Sequence, residues 1–379
     1  MKRILITSTD LMMIQFLVPH VKNLAANGYQ VELACSQVGG RLEEVRQTLG
    51  DAVQAVHQVR LVRSPASPGN LRGYRDMKQL LRTRKYDLIW TNEPVMGVVT
   101  RLAARWQRRQ GTKVVYMVHG FHFFKGSSPA MWAVFYPVER LMAHFCDAII
   151  TINREDEARA KTFAVPRVYK LPGVGVNGEK FSGSGKMTPQ ERAAKRRELG
   201  IPEDCYFLLS LGELTRRKNQ QVVLQALAQL NCPDIHYCIC GRGDRLEKLK
   251  ALARQLKLAD RVHFLGYRMD IPQICRAADC FIFPSRQEGL SFALMEAMET
   301  GLPVICSRIR GNTDLIEHGQ GGYLCGVDQV SDYCQALAQV RSTDTSAMRQ
   351  WNFARVQEFE LENVKKKVLD ILENLVKDR

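Results

Sequence analysis

At 379 residues, 45% of them hydrophobic and 25% charged, the chain has a globular composition and exceeds one ordinary core, so two domains are expected. No run approaches the ~18 apolar residues of a membrane span, and no nucleic-acid motif accompanies the net charge of +15, so a membrane-spanning protein and a nucleic-acid binder are set aside. That charge still asks for an anionic partner, either a phosphorylated substrate or an acidic membrane surface. The eleven cysteines form no C-x-x-C pair, and Cys35, Cys238, Cys240, Cys280 and Cys306 fall in apolar runs, which reads as buried free thiols in a reducing cytoplasm. Met1-Lys2-Arg3 before Ile4-Leu5-Ile6 imitates an export signal. Asp10 interrupts the stretch and no cleavage site follows, so export is not expected.

In chain order, Arg3 to Thr7 reads as a strand and Phe16 to Ala26 as a helix ended by Asn27-Gly28. Tyr29 to Cys35 is a second strand and Leu42 to Leu49 a helix. Asp87 to Trp90 and Lys113 to Val118 are strands separated by a basic helix, Val98 to Arg109. Ala148 to Ile152 and Arg167 to Leu171 complete the first series. Continuous apolar strands alternating with helices predict a parallel sheet covered on both faces. A seam rich in Gly and Ser, Gly173 to Lys186, follows, and Thr188-Pro189-Gln190-Glu191 reads as a capping box. A second series then has strands at Tyr206 to Leu211, His236 to Cys240, Val262 to Phe264, Cys280 to Phe283 and Pro303 to Cys306. A last helix is expected from about Trp351 to Lys377. Gly173 to Gly178 matches G-x-G-x-x-G. No helix is expected to open on its last glycine, so it reads as a hinge and not a dinucleotide loop.

The most informative stretch is Glu288-Gly289-Leu290-Ser291-Phe292-Ala293-Leu294-Met295-Glu296, two carboxylates joined by a helical turn just after the strand Cys280 to Phe283. Strand, tight turn and helix point a helix N-terminus, favourable for phosphate, beyond the strand's end. The carboxylates suit vicinal hydroxyls, so the pattern reads as a site for a sugar attached to a phosphate. With Asp279 to Leu290 before it, the segment resembles the E-x7-E motif of retaining GT-B glycosyltransferases, in particular the GT4-like family.

That resemblance implies an α/β fold, GT-B, with two doubly wound Rossmann-like domains facing across a cleft. Residues 1–172 would bind the acceptor, 173–350 the nucleotide-sugar donor, and 351–379 would form a helix packing back on the first domain. It implies Glu288, His119 and Lys218 as catalytic residues. Glu296, Arg217, Gly289, Leu290, Ser291, Gly241, Gly243 and Arg268 would bind the donor, and Asn92, Glu93 and His122 the acceptor. Glu213 stands where the family has a donor-binding Arg, so either Arg217 or Arg216 substitutes or the Glu marks a subgroup with a different donor clamp. Arg308 to Asp314 is read as support for the motif. No cofactor is expected, only a nucleoside-diphosphate sugar, UDP-linked, as co-substrate. The chain has no D-x-D, so transfer is expected to need no metal and to retain the anomeric configuration. The expected acceptor is a glycan or polyprenyl-diphosphate-linked sugar in capsule or exopolysaccharide synthesis. The alternative is a non-transferase on the same scaffold, a sugar-nucleotide epimerase or a nucleotide-binding regulator. Arg82, Arg84, Lys85, Arg101, Arg105, Arg108, Arg109 and Lys113, with the aromatic segment around Trp132, suggest peripheral docking on the inner face of an anionic membrane.

Overall fold

The computed structural model describes residues 1–9, 11–36, 42–182 and 187–377. Asp10 and the part of the seam at 183–186 lie outside the described residues. The chain divides into two compact units, Met1–Gly175 with Glu362–Arg379, and Val176–Leu361.

The first unit holds a seven-stranded parallel sheet of order β3-β2-β1-β4-β5-β6-β7. Its strands are β1 (Lys2–Ser8), β2 (Tyr29–Cys35), β3 (Ala55–Gln58), β4 (Leu88–Asn92), β5 (Lys113–Val118), β6 (Ala148–Thr151) and β7 (Arg167–Lys170). Ile4, Leu5, Ile89, Val114 and Ile149 are wholly buried, because helices cover both faces and leave no wet side to alternate with. Direction reverses between β1 and β4, where Thr7 lies opposite Thr91. In an open parallel sheet that reversal opens a crevice beyond the strands' carboxyl ends.

The second unit repeats the plan in six parallel strands of order β10-β9-β8-β11-β12-β13. These are β8 (Tyr206–Leu211), β9 (Ile235–Cys240), β10 (Val262–Gly266), β11 (Cys280–Phe283), β12 (Val304–Ser307) and β13 (Gly322–Cys325). Its reversal lies between β8 and β11, with Phe281 opposite Leu209. Leu208, Ile282 and Ile305 anchor a core filled by Val223, Leu227 and Leu337 from flanking helices.

Several elements depart from the sequence reading. β3 and β13 are edge strands that the sequence reading did not include. The first helix begins at Leu11, and the basic helix is two pieces, Pro94–Ala103 and Arg105–Arg109. The last helix is also interrupted. Ser346–Val356 ends in the turn Gln357–Phe359, and Leu361–Lys377 starts afresh, burying Val364, Val368 and Leu372. The capping box at Thr188 forms as expected, with both reciprocal bonds present.

At the seam, Val176 donates to the Phe359 carbonyl at 3.0 Å and accepts from Leu361 at 2.9 Å. A one-turn helix, Glu179–Ser182, does open after Gly178, contrary to expectation. The G-x-G-x-x-G match is still no phosphate loop: a side chain at Gly178 would fall 2.0 Å from a Glu360 carboxyl oxygen and 2.9 Å from one of Glu299. An acidic pair already fills the space where a phosphate would have to sit. Burial first, then the charge of Glu360, pushes the Glu299 carboxyl up to about 8.

Candidate active site

In the second unit the loops after β8 and β11 meet at the sheet reversal. Glu288 is its centre. Its Oε1 accepts from Lys218 Nζ at 2.8 Å, Arg217 Nη1 at 2.8 Å and the Ser285 hydroxyl at 2.6 Å. Lys218 and Glu288 are nearly enclosed, at 11% and 10% side-chain exposure, whereas Arg217 is 41% exposed. Burial pulls the Lys218 ammonium below its ordinary value, and Glu288 opposes the shift. Lys218 also lies over the Phe283 ring, 4.5 Å from its centre. Two cations share this enclosed carboxylate, and the second acid near Arg217, Glu213 at 3.8 Å, is exposed and screened by water, so the enclosed cluster still favours an anion.

Glycines make room for this arrangement. A Cβ at Gly212, where φ is 140°, would crowd Lys218 at 3.3 Å. At Gly241 it would strike the Gly212 carbonyl at 1.9 Å, and at Gly243 the Leu214 backbone at 2.3 Å. Gly241 and Gly243 therefore bring the β9 loop against the β8 loop. Behind Glu288 runs a bracing chain. Ser307 donates to the Ser285 carbonyl, Asn312 donates to the Ser307 carbonyl at 2.9 Å, and Arg310 Nε to the Glu288 carbonyl at 3.1 Å. The 308–314 segment thus supports the motif, as its position suggested.

Gly289, Leu290 and Ser291 form the turn into the helix Phe292–Glu299, and Ser291 caps it by accepting from Leu294. Glu296 is half-buried on that helix and within electrostatic reach of Cys275. Arg268 is already engaged, by Asp270 at 2.6 Å and Glu198 at 2.6 Å. Glu213 points outward at 66% exposure, 3.8 Å from Arg217. Sequence reasoning missed Ser285 and Arg310 as partners of Glu288. Ser285 lay inside the quoted motif, but nothing in it told which way the hydroxyl turns.

In the first unit, His119, Asn92, Glu93 and His122 gather at the carboxyl ends of β4 and β5. The Asn92 amide nitrogen donates to the Thr7 carbonyl at 3.2 Å, so its oxygen is the atom facing His119 Nε2 at 3.0 Å. An amide oxygen only accepts, hence Nε2 carries the proton. Burial, then His20, pulls the His119 pKa down to about 4, leaving a neutral ring whose Nδ1 is an acceptor. Asn92 is fully buried, so its part is to hold His119 and not to touch an acceptor.

Glu93 has φ 64° and ψ 152°, a region almost reserved for glycine that costs about 1–3 kcal/mol. Its carboxylate accepts from Ser8 at 2.5 Å, and burial raises its pKa against the pull of Ser8, Thr9 and Arg63. His122 stacks on Phe135, ring centres 4.5 Å apart. Thr9, Arg63, Glu93, Pro94, His122 and Phe135 border a hollow of about 220 Å³. Ser8, Thr9 and Arg63 gave no sequence signal, and Phe135 was read only as part of the aromatic segment around Trp132.

The basic stripe needs correction. Arg101 is wholly buried, bound to Glu139 at 2.8 Å and lying over the Tyr116 ring. Arg108 is held by Asp147 and the His144 carbonyl, and Arg84 by Glu32. Arg105 and Arg109 remain exposed. Trp132 packs on Phe123 and Tyr136 beneath Arg159. The exposed apolar stripe on its helix is instead Met131, Val134, Val138 and Leu141, all at least 41% exposed.

Residues 17–172 match the family described as Glycosyltransferase Family 4, and residues 191–356 the family described as Glycosyl transferases group 1. EpsD of Bacillus subtilis (strain 168), named only provisionally as a glycosyltransferase, is 34% identical over 89% of this chain and 87% of its own length. A UDP-Gal:alpha-D-GlcNAc-diphosphoundecaprenol alpha-1,3-galactosyltransferase of Escherichia coli is 28% identical over 84% of this chain and 81% of its own. The fold is that of HepE from Anabaena, solved with UDP and glucose (TM-score 0.80, 20% identity, 99% of this chain and 100% of that one). The two sheets and their helices are thus those of GT-B glycosyltransferases. This chain belongs to the GT4-like glycosyltransferase family.

Proposed function

We propose that the chain is a retaining, metal-independent glycosyltransferase. It moves a hexose or N-acetylhexosamine from a UDP-linked sugar to a hydroxyl of a glycan carried on polyprenyl diphosphate, in capsule or exopolysaccharide synthesis. The observation that carries the reading is the convergence of Lys218, Arg217 and Ser285 on Glu288 at the sheet reversal of the second unit. The donor diphosphate lies against Lys218 and Arg217, whose charge stabilises the departing UDP without help from a metal. The turn Gly289-Leu290-Ser291 and the helix it opens add backbone donors. Glu288 receives sugar hydroxyls and Glu296 the ribose. Gly241, Gly243 and Arg268 border the base.

In the transfer, the bond from the anomeric carbon to the phosphate oxygen breaks. A bond to the acceptor oxygen forms on the same face, and the acceptor proton passes to the departing phosphate. His119, neutral with Nδ1 as acceptor, can accept from a sugar hydroxyl. The similarity to EpsD and to a transferase whose acceptor is a lipid diphosphate supports a lipid-linked acceptor.

An acceptor of that kind is met at the inner membrane face. The apolar stripe of the helix Pro129–Met142, with exposed Arg105 and Arg109 and Arg105 over Phe145 at 4.9 Å just past its end, suits an anionic bilayer. No helix among the described residues is long and apolar enough to cross a membrane. The test is incubation with labelled UDP-sugars and a bacterial lipid extract, with and without excess EDTA. Label should move to the lipid phase in both. Epimerised nucleotide sugar with no labelled lipid overturns the transferase reading, and loss of transfer in EDTA overturns metal independence.

A further inference from the structure

We propose that the hollow beside Glu93 seats the sugar ring of a lipid-borne glycosyl diphosphate, with the Glu93 carboxylate taking a ring hydroxyl and Arg63 the adjoining phosphate. This rests on the transferase reading and on Glu93 and His122 facing the acceptor, and adds which group of the acceptor each side chain recognises.

Four observations lead there. The hollow, about 220 Å³, is smaller than the roughly 300 Å³ at which drug-sized pockets begin, so it suits one ring and not a chain of them. A non-glycine in a glycine-type conformation is kept only where its side chain serves a purpose, and the strained residue here is the one that puts a carboxylate into the hollow. Its carbonyl, its side chain and the turn that follows it are all held. The Glu93 carbonyl accepts from Gly97 at 2.8 Å, Ser8 grips the carboxylate, and Thr9 accepts from Met96 at 3.0 Å. The wall offers the mixed surface that a pyranose needs, a polar group for hydroxyls and the stacked pair His122 and Phe135 for its C–H face.

The division of labour between the charges follows from their exposure. Glu93 is half-buried and Arg63 exposed, so the carboxylate meets the neutral ring inside while the guanidinium meets an anion at the rim. A phosphate placed deeper would face Glu93 and be repelled. The lipid follows from Phe135. It belongs to the same helix, Pro129–Met142, that turns Met131, Val134, Val138 and Leu141 outward. Phe135 stands beside that stripe around the helix, about 40° from Met131. A ring against Phe135 therefore has an exposed apolar track close by, along which an attached alkyl chain can lie.

The probe is octyl diphosphate carrying N-acetylglucosamine, titrated calorimetrically into the full chain, with UDP titrated separately to confirm folding. Glu93→Gln removes the charge, and Glu93→Gly removes the side chain while relieving the backbone, with UDP binding as the check that each variant is folded. Both, and Arg63→Ala, should raise the probe's dissociation constant at least tenfold. Octyl diphosphate without the sugar should bind wild type at least tenfold more weakly than the full probe. Equal affinity for the two, or wild-type affinity in both Glu93 variants, overturns the proposal, as does a wild type that binds no probe. If wild type binds the probe yet moves no sugar to it from any UDP-sugar, the transferase reading fails and the seat stands. If it transfers sugar and the Glu93 variants keep the wild-type KM for the probe, the seat fails alone.

Discussion

Replacing Glu288 by Gln should move donor binding and catalysis in opposite directions. Without donor, Glu288 is the shared counter-ion of Lys218 and Arg217, each 2.8 Å from its Oε1. A diphosphate oxygen bound by the same two cations would lie about 5 Å from the carboxylate, and at an effective dielectric of ~20 two like charges there repel by about 3 kcal/mol. Arg217, 41% exposed, opens the site to solvent, and ionic screening reduces this to about 1–2 kcal/mol. Glu288→Gln abolishes the repulsion while keeping an oxygen for Ser285. UDP should then bind about 5- to 30-fold more tightly, as 1.4 kcal/mol is tenfold. Transfer should fall by at least ~100-fold, the usual cost of losing one preorganised group. Calorimetry with UDP at low and moderate salt, beside initial rates, reads both numbers, and the gain in affinity should shrink as salt rises. Weaker UDP binding in Glu288→Gln would show that Glu288 holds UDP directly, and the counter-ion argument would fail.

Three further outcomes follow from the same geometry. Arg101→Met should destabilise the protein by about 3–5 kcal/mol, because Glu139 is left buried and unpaired, while Arg105→Gln should stay within about 0.5 kcal/mol; urea midpoints that match between the two refute the buried pair. The folded Glu299 carboxyl keeps its proton up to about 8 against an ordinary 4.5. Its contribution to stability is therefore complete below about 4.5 and drains as pH rises toward 8. Glu299→Gln should flatten that decline and exceed wild type above pH ~8, and a pH-independent difference between the two would count against it. Asn92→Asp puts a carboxylate beside His119 and should lift its pKa from about 4; an unchanged imidazole titration by NMR would show that the two side chains do not meet.

The interior of each sheet was readable because strands buried on both faces are unbroken apolar runs, as Cys280 to Phe283 is. β3 and β13 were not readable. Ala55–Gln58 is only partly buried, and Gly322–Cys325 opens on a glycine, which weakens a strand reading. In the site, Glu288 and Lys218 were each legible from a local motif after a strand, and the structure brings the two side chains together at 2.8 Å. Arg310 was read only within a supporting segment, and its own contact escaped because it is 22 residues from Glu288 and meets its carbonyl only after β12 has returned. Arg101 misled for the same reason. In a row of basic letters it looks solvated, and Glu139, its partner 38 residues on, lies on another helix. Nothing in the letters reveals the backbone of Glu93, since a strained glutamate is spelled like a relaxed one.

The first unit is not a continuous stretch of chain. It takes Met1–Gly175 and then Glu362–Arg379, which follow the whole of the second unit. During synthesis at ~5–20 residues per second, the roughly 190 intervening residues delay the closing helix by ~10–40 s. Until then, the surface that receives Val364, Val368 and Leu372 stays uncovered. The second unit meanwhile emerges in one piece and can fold as soon as it is complete. The domain begun first is thus the one finished last, and its open face is the stage at which a chaperone would find this chain.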